Sequence, residues 1–366
     1  MPERFAAPAA LLDEAVVARV FPAAAAEVGT RDGVHWSHAA GAHTFDPLAP
    51  LTTPRTIFDL ASLTKVLATA TLAMRAVDDG RLNLDDPVAG WINEWRGRER
   101  AHTTVRDLLA HCAGLPAYLP FYRDYTGRRE FEHAICSLPL EYPPRSASVY
   151  SDLGFILLGF ILEDAATPEA ARRAGTFEPA ASLDAQFNRL ATFLTTEPLT
   201  FRPPRSWRPD TAPTEVDPWR GRLLAGEVHD ENAWALGGVA GHAGLFGTAA
   251  AVGAFARAML RTLAGERLLA DPATARLFAQ RDGVPGSSRA LGWDTMLPTS
   301  SCGTRLTASA IGHTGFTGTS LWIDFERDLY VVLLTNRVHP TRENERIRAF
   351  RPRFHDAIVE AIESAG

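Results

Sequence analysis

A serine and a lysine three residues apart, in Ser62-Leu63-Thr64-Lys65, form a pair whose types and spacing could do chemistry. On a helix, residues three apart share a face, so the hydroxyl and the ammonium would be neighbours. At the leading end of that helix the hydroxyl would also meet unpaired backbone N–H groups and the positive end of the helix dipole. A serine hydroxyl is a useful nucleophile only when a base takes its proton, and an amine with a shifted pKa can help. Ser62 as a plain N-cap and Lys65 as a solvated surface charge are the competing readings. The second is weakened by the apolar neighbours Val66, Leu67 and Ala68. It is weakened too by composition: Lys65 is the only lysine among 37 basic residues, the other 36 (37 − 1) being arginines. A lone ammonium in such a helix needs a partner or a task.

The elements that would position this pair can be read around it. Arg55–Leu60 has strand character and feeds directly into Ser62. From there to Val77 almost every residue is apolar or small, as in a helix buried on all sides, and Gly80 supplies a stop. Leu12–Val20 has the spacing of an amphipathic helix, and Gly33–Ser37 that of a strand. The stretch 79–286 reads mainly helical, through Val105–His111, Leu153–Ala165, Leu183–Leu194 and Ala249–Leu263. Its loops Ala166–Thr176 and Arg202–Gly221 are rich in Pro, Arg and Thr, and no internal repeat is present. Near the C-terminus, Ala308–His313, Thr319–Phe325 and Leu329–Thr335 read as successive strands, the last continuously apolar as if covered on both faces. A helix closes the chain, with Phe354, Ala357, Ile358, Ala361 and Ile362 on one stripe and Pro352 near its start. These features predict an α/β (α+β) fold. Its antiparallel sheet, flanked by helices, would be built from 1–78 and 287–366, with a mainly α-helical domain, 79–286, inserted. A crevice between the two is the expected place for a site.

Two more short elements complete the candidate set: Tyr150-Ser151-Asp152 and His313-Thr314-Gly315. The order S-x-x-K, then Y-S-D, then H-T-G before a terminal strand hairpin resembles the serine beta-lactamase and penicillin-binding protein superfamily. The class C-like branch, with its D-Ala-D-Ala carboxypeptidases and beta-lactamase-like esterases, fits best. Leu108-Leu109-Ala110-His111 ahead of Gly114-Leu115, and the run Gly237–Gly247, support the resemblance. The resemblance implies that Ser62 is acylated and that Lys65 holds the proton network. It implies that Tyr150, acidified by the ammonium, is general base and then acid. The N–H groups of Ser62 and Phe316 would form the oxyanion hole, with Thr314 and Gly315 beside them.

Two departures matter. Asp152 stands where the family commonly has Asn; a carboxylate cannot donate to a substrate carbonyl and should keep Lys65 protonated. His313 stands where many relatives have Lys, so carboxylate anchoring should be weaker and pH-dependent. Together they argue against an efficient beta-lactamase. The expected activity is hydrolysis of a small ester or amide, with an esterase placed first. A D-Ala-D-Ala carboxypeptidase or D-amino-acid peptidase comes second, and a non-catalytic binding or scaffold protein third.

Composition narrows the alternatives. The net charge of −6 gives no basic field for nucleic acid. No apolar run is long enough for a membrane span. Three widely spaced cysteines, Cys112, Cys136 and Cys302, suggest neither a disulfide framework nor a zinc ribbon. With no secretory signal visible ahead of Asp13 and Glu14, a cytoplasmic location is expected. No cofactor is expected, and no metal: His229, Asp230 and His242 read as crevice or loop residues. The motifs G-x-S-x-G and G-x-G-x-x-G are absent, against an alpha/beta-hydrolase or a dinucleotide site. Trp91, Trp95, Trp207 and Trp234 could floor a pocket, although packing roles suit most of them. The loops Phe121–Phe131 and Arg202–Gly221 are expected to shape that pocket.

Overall fold

The computed structural model describes residues 3–176 and 178–364. Its strands are β1 (Ala23–Thr30), β2 (Gly33–Gly41), β3 (Phe58–Asp59), β4 (Leu199–Phe201), β5 (Val216–Asp217) and β6 (Arg222–Leu223). They continue with β7 (Leu245–Gly247), β8 (Asp294–Thr295), β9 (Ile311–Thr314), β10 (Ser320–Asp324) and β11 (Leu329–Thr335). The helices are α1 (Ala6–Val17), α2 (Thr71–Asp78), α3 (Val105–Leu109), α4 (Gly127–Cys136), α5 (Asp152–Ala166) and α6 (Glu169–Ala174). Then come α7 (Leu183–Leu194), α8 (Glu231–Ala235), α9 (Ala249–Leu263), α10 (Pro272–Ala279) and α11 (Ile347–Glu363).

Six strands form one antiparallel sheet in the order β2-β1-β11-β10-β9-β8. The two ends of the chain therefore meet in its middle, where β1 pairs with β11 from Ala24↔Thr335 to Gly29↔Tyr330. Alternation sorts the side chains: Ala24, Ala26 and Val28 join the core under α1 and α11, while Ala23 and Ala25 face the other way. Helix α9 lies against β1 and β11 on that second face, although it comes from the stretch 79–286. The approach is so close that a Cβ at Gly253 would lie 1.8 Å from Glu27 Oε1. Burial pushes the Glu27 carboxyl up, opposed by the Tyr330 hydroxyl (2.8 Å) and Arg257 (3.0 Å), which both donate to it.

The helices Leu183–Leu194 and Ala249–Leu263 and the strand Leu329–Thr335 lie where the pattern predicts them. Elsewhere the structure departs from the pattern. The predicted loop Ala166–Thr176 contains α6, and the strand Arg55–Leu60 shrinks to β3, which pairs with β7 in a small second sheet, β3-β7-β4. Strand β1 escapes sequence reading because its alanine run has neither polar alternation nor β-branched residues. Among the described residues no helix is long and apolar enough to cross a membrane, and the three cysteines are unpaired.

Candidate active site

Ser62 sits where β3 hands over to a helix, and the handover is strained. Ala61 has φ +47°, in the left-handed region that alanine rarely adopts. Asp59, fully buried, holds the bend: one carboxylate oxygen accepts the Ala61 N–H at 2.8 Å and the other the His229 N–H at 2.7 Å. Thr64 adds a second tie, donating to the Ala61 carbonyl at 2.7 Å and accepting the Leu245 N–H at 3.1 Å. The backbone then runs as a π-helical turn, Lys65–Ala70, before α2 begins. Such turns widen the helix and recur at functional sites.

Lys65 is completely buried, and three acceptors surround its ammonium. It donates to Ser62 Oγ at 3.0 Å, Asp152 Oδ1 at 2.7 Å and the His242 carbonyl at 3.0 Å. Burial alone would lower its pKa, but the Asp152 carboxylate and the Tyr150 phenol outweigh burial and hold the ammonium above the ordinary lysine value. Tyr150 and Asp152 arrive together at the start of α5, whose N-cap is Ser151. The Tyr150 hydroxyl donates to Ser62 Oγ at 2.8 Å, and its ring centroid lies 4.9 Å from Lys65 Nζ. Ser62 Oγ thus receives hydrogen bonds from both partners.

The third element closes the site from the opposite wall. Ser62, Tyr150, Asp152, His313, Thr314 and Phe316 all line one cavity of about 550 Å³. The backbone N–H groups of Ser62 and Phe316 meet no acceptor within the chain, among the described residues. The turn after β9 is docked onto the segment before Ser62: Thr317 Oγ1 donates to the Asp59 carbonyl at 2.8 Å and Thr319 Oγ1 to that of Leu60 at 3.0 Å. Gly315 is needed there, since a Cβ would stand 2.1 Å from Thr319 Oγ1 and 2.7 Å from the Leu60 carbonyl.

The beta-lactamase family's sequence model matches residues 9–352 of the chain. The chain belongs to the beta-lactamase family. It is a serine hydrolase, as the family is. Two relatives named "Putative D-alanyl-D-alanine carboxypeptidase", from Salmonella gallinarum and Salmonella agona, are each 30% identical to it over 81% of this chain, covering 72% and 73% of theirs. Solved structures share the fold. EstCE1, a hydrolase with promiscuous acyltransferase activity, superposes at TM-score 0.73 and 22% identity, covering 98% of this chain and 99% of that one. Simvastatin synthase (LovD) from Aspergillus terreus, unliganded, gives 0.71 and 19% over 100% of both chains.

Within this family frame, several sequence-based expectations change. Tyr150 is not acidified overall: burial pushes its phenol above the ordinary value, against the pull of Lys65. His313 is no charged anchor either. Burial, then the nearby Lys65 and Arg289, push its imidazole well below the ordinary histidine value, so it stays neutral. Its Nδ1 bonds the Thr314 carbonyl at 2.8 Å, and its buried Nε2 has no partner among the described residues.

His229 and His242 bond carboxylates, Glu215 and Asp230, each at 2.9 Å. Among the described residues no cluster of histidine, cysteine or carboxylate ligands could hold a metal ion. Trp91, Trp95, Trp207 and Trp234 do not line the cavity; Trp322 does. The loops Phe121–Phe131 and Arg202–Gly221 stand back from it, and Ala117 and Tyr118 form that wall.

Two supports of Tyr150 lie outside the predicted site residues, although His111 belongs to a stretch that supported the resemblance. His111, with φ +54°, lies between the tilted ring of Tyr150 (4.8 Å) and the stacked ring of Phe155 (4.9 Å) and accepts the Ser151 N–H at 3.0 Å. Arg289 lies over the Tyr150 ring at 5.2 Å, and its nearest carboxylate, Asp294, is 3.9 Å away. Among 36 arginines (37 − 1), no spacing marked it out.

Proposed function

We propose that the protein hydrolyses small esters through an acyl-Ser62 intermediate. The observation that carries this reading is that Tyr150 and Lys65 converge on one atom, Ser62 Oγ, at 2.8 and 3.0 Å. In the resting state Tyr150 is a phenol donating to Ser62. Once its proton has passed to solvent water, the phenolate, held by the Lys65 ammonium, takes the Ser62 proton as the oxygen attacks the ester carbonyl. The N–H groups of Ser62 and Phe316 receive the developing oxyanion. Tyr150 returns the proton to the leaving alcohol, and water discharges the acyl group by the reverse roles. Lys65 remains an ammonium throughout because Asp152 balances it. With its carboxylate where an amide would donate to an acylamino carbonyl, Asp152 favours simple esters over peptides.

A second reading, D-alanyl-D-alanine carboxypeptidase, is favoured by Arg289. Its guanidinium, weakly paired at the cavity, suits a carboxylate on the leaving group, and the Salmonella relatives bear that name. The test is shared. A fluorophosphonate is expected to add one adduct, on Ser62, by intact mass and peptide mapping. Ser62→Ala is expected to lower p-nitrophenyl acetate turnover at least ~10⁴-fold. An adduct elsewhere, or turnover surviving in Ser62→Ala, sinks both readings. Release of D-alanine from a peptide faster than ester hydrolysis would favour the second.

A further inference from the structure

Two guanidiniums stand behind the turn that carries Phe316, and neither pairs with a carboxylate, among the described residues. Arg351, on α11, donates Nη2 to the Gly315 carbonyl at 2.8 Å and to the Thr319 carbonyl at 3.0 Å. Arg337, just beyond β11, donates Nε to the Phe316 carbonyl at 2.7 Å. Its Nη1 reaches the Arg342 and Asn344 carbonyls, and its Cζ lies 4.4 Å from the Phe316 ring centroid. Both side chains are buried.

Buried charge without a paired carboxylate is costly and calls for a reason. Glu345 and Glu215 offset part of the cost at Arg337 from a distance, and no carboxylate does so at Arg351, among the described residues. Burial lowers Arg337 to about 10 and, with the charges of Arg337 and Arg348 added, Arg351 to about 9, so both stay cationic at neutral pH. Docking the turn is not reason enough, because the neutral hydroxyls of Thr317 and Thr319 already tie it to the strand before Ser62. Carbonyls in a turn need only neutral donors. What the charges add is polarisation. The Gly315 carbonyl and the Phe316 N–H are the two ends of one conjugated amide. A cation on the oxygen draws electron density through that unit and makes the N–H a stronger donor.

We propose that Arg351, backed by Arg337, is a positioning residue for oxyanion stabilisation: it polarises and fixes the Gly315–Phe316 peptide whose N–H meets the developing negative charge. This inference rests on the acyl-Ser62 reading, and the test separates the two. Arg351→Gln, Arg351→Lys and Arg337→Gln would be assayed with p-nitrophenyl acetate, with kcat counted per site titrated by fluorophosphonate. A full oxyanion-hole donor is worth about 10²–10³ in kcat, so a weakened one is expected to cost about tenfold in Arg351→Gln. KM should stay within about twofold, Arg351→Lys should recover part of the loss, and Arg337→Gln should lose less. Affinity for a boronic acid that mimics the tetrahedral state should fall in step with kcat/KM. Unchanged kcat per titrated site in the folded variants overturns the proposal, as does a loss confined to KM. If Arg351→Gln does not fold, Arg351→Lys and Arg337→Gln carry the same decision. Absence of a Ser62 adduct in the wild type would instead fell the underlying reading.

Discussion

The cations on the two walls of the cavity are handled in opposite ways. On the nucleophile's wall Lys65 is neutralised by Asp152 at 2.7 Å, and its other donors are spent on Ser62 and the His242 carbonyl. On the wall of β9 and its turn, Arg351 and Arg337 bond only carbonyls. The difference follows the charge each wall must meet. In the proposed mechanism a proton is parked and returned beside Ser62, so the ammonium there must keep its own proton, which the Asp152 carboxylate secures. Opposite, on the same proposal, negative charge is present only during the reaction, and cations without a paired carboxylate hold a positive potential ready for it.

The contrast can be broken first at the proton relay. Tyr150→Phe is expected to lower kcat about 10²–10³-fold on a neutral ester, as loss of a general acid–base does. The wild-type rate should rise with pH between 7 and 9, because the phenol, raised above its ordinary value, gains base form as pH increases. That slope should vanish in Tyr150→Phe. No titration of His313 should appear between pH 5.5 and 8, since its imidazole is already neutral there. A rate that falls across pH 7 to 9 would reverse the assignment of Tyr150 as resting phenol.

The next largest effect makes the first wall resemble the second. Asp152→Ala leaves a buried ammonium without its counter-ion and should cost about 3 kcal/mol in urea unfolding at pH 7. A loss under about 1 kcal/mol would mean that the carbonyl of His242 and the hydroxyls suffice for Lys65.

The smallest effect concerns Arg289, which stands between the two regimes. Arg289→Ala should raise KM about tenfold for an ester whose leaving group carries a carboxylate and leave a neutral ester within about twofold. Equal changes for both esters would place Arg289 in the packing around Tyr150 rather than in recognition.

Local rules made part of this legible. The meeting of Ser62 and Lys65 follows from helical spacing, and the closing hairpin from unbroken apolar runs. Tyr150, Asp152 and His313 were found by their motifs and by resemblance, and all three line the cavity. What stayed hidden depends on burial and on distant partners. The charge state of His313 and the raised phenol of Tyr150 reflect desolvation, which no short segment reveals. Arg289, Arg337 and Arg351 carry no sequence mark in an arginine-rich chain, because what sets them apart is weak or missing pairing with a carboxylate, which depends on distant residues. The π-helical turn at Lys65 and the alanine strand β1 are tertiary outcomes in the same sense.

The sole lysine side chain has no solvent exposure. Reagents that acylate or carbamylate ε-amines therefore find none on the native surface, and modification at position 65 becomes a clock for opening of the fold around the nucleophile.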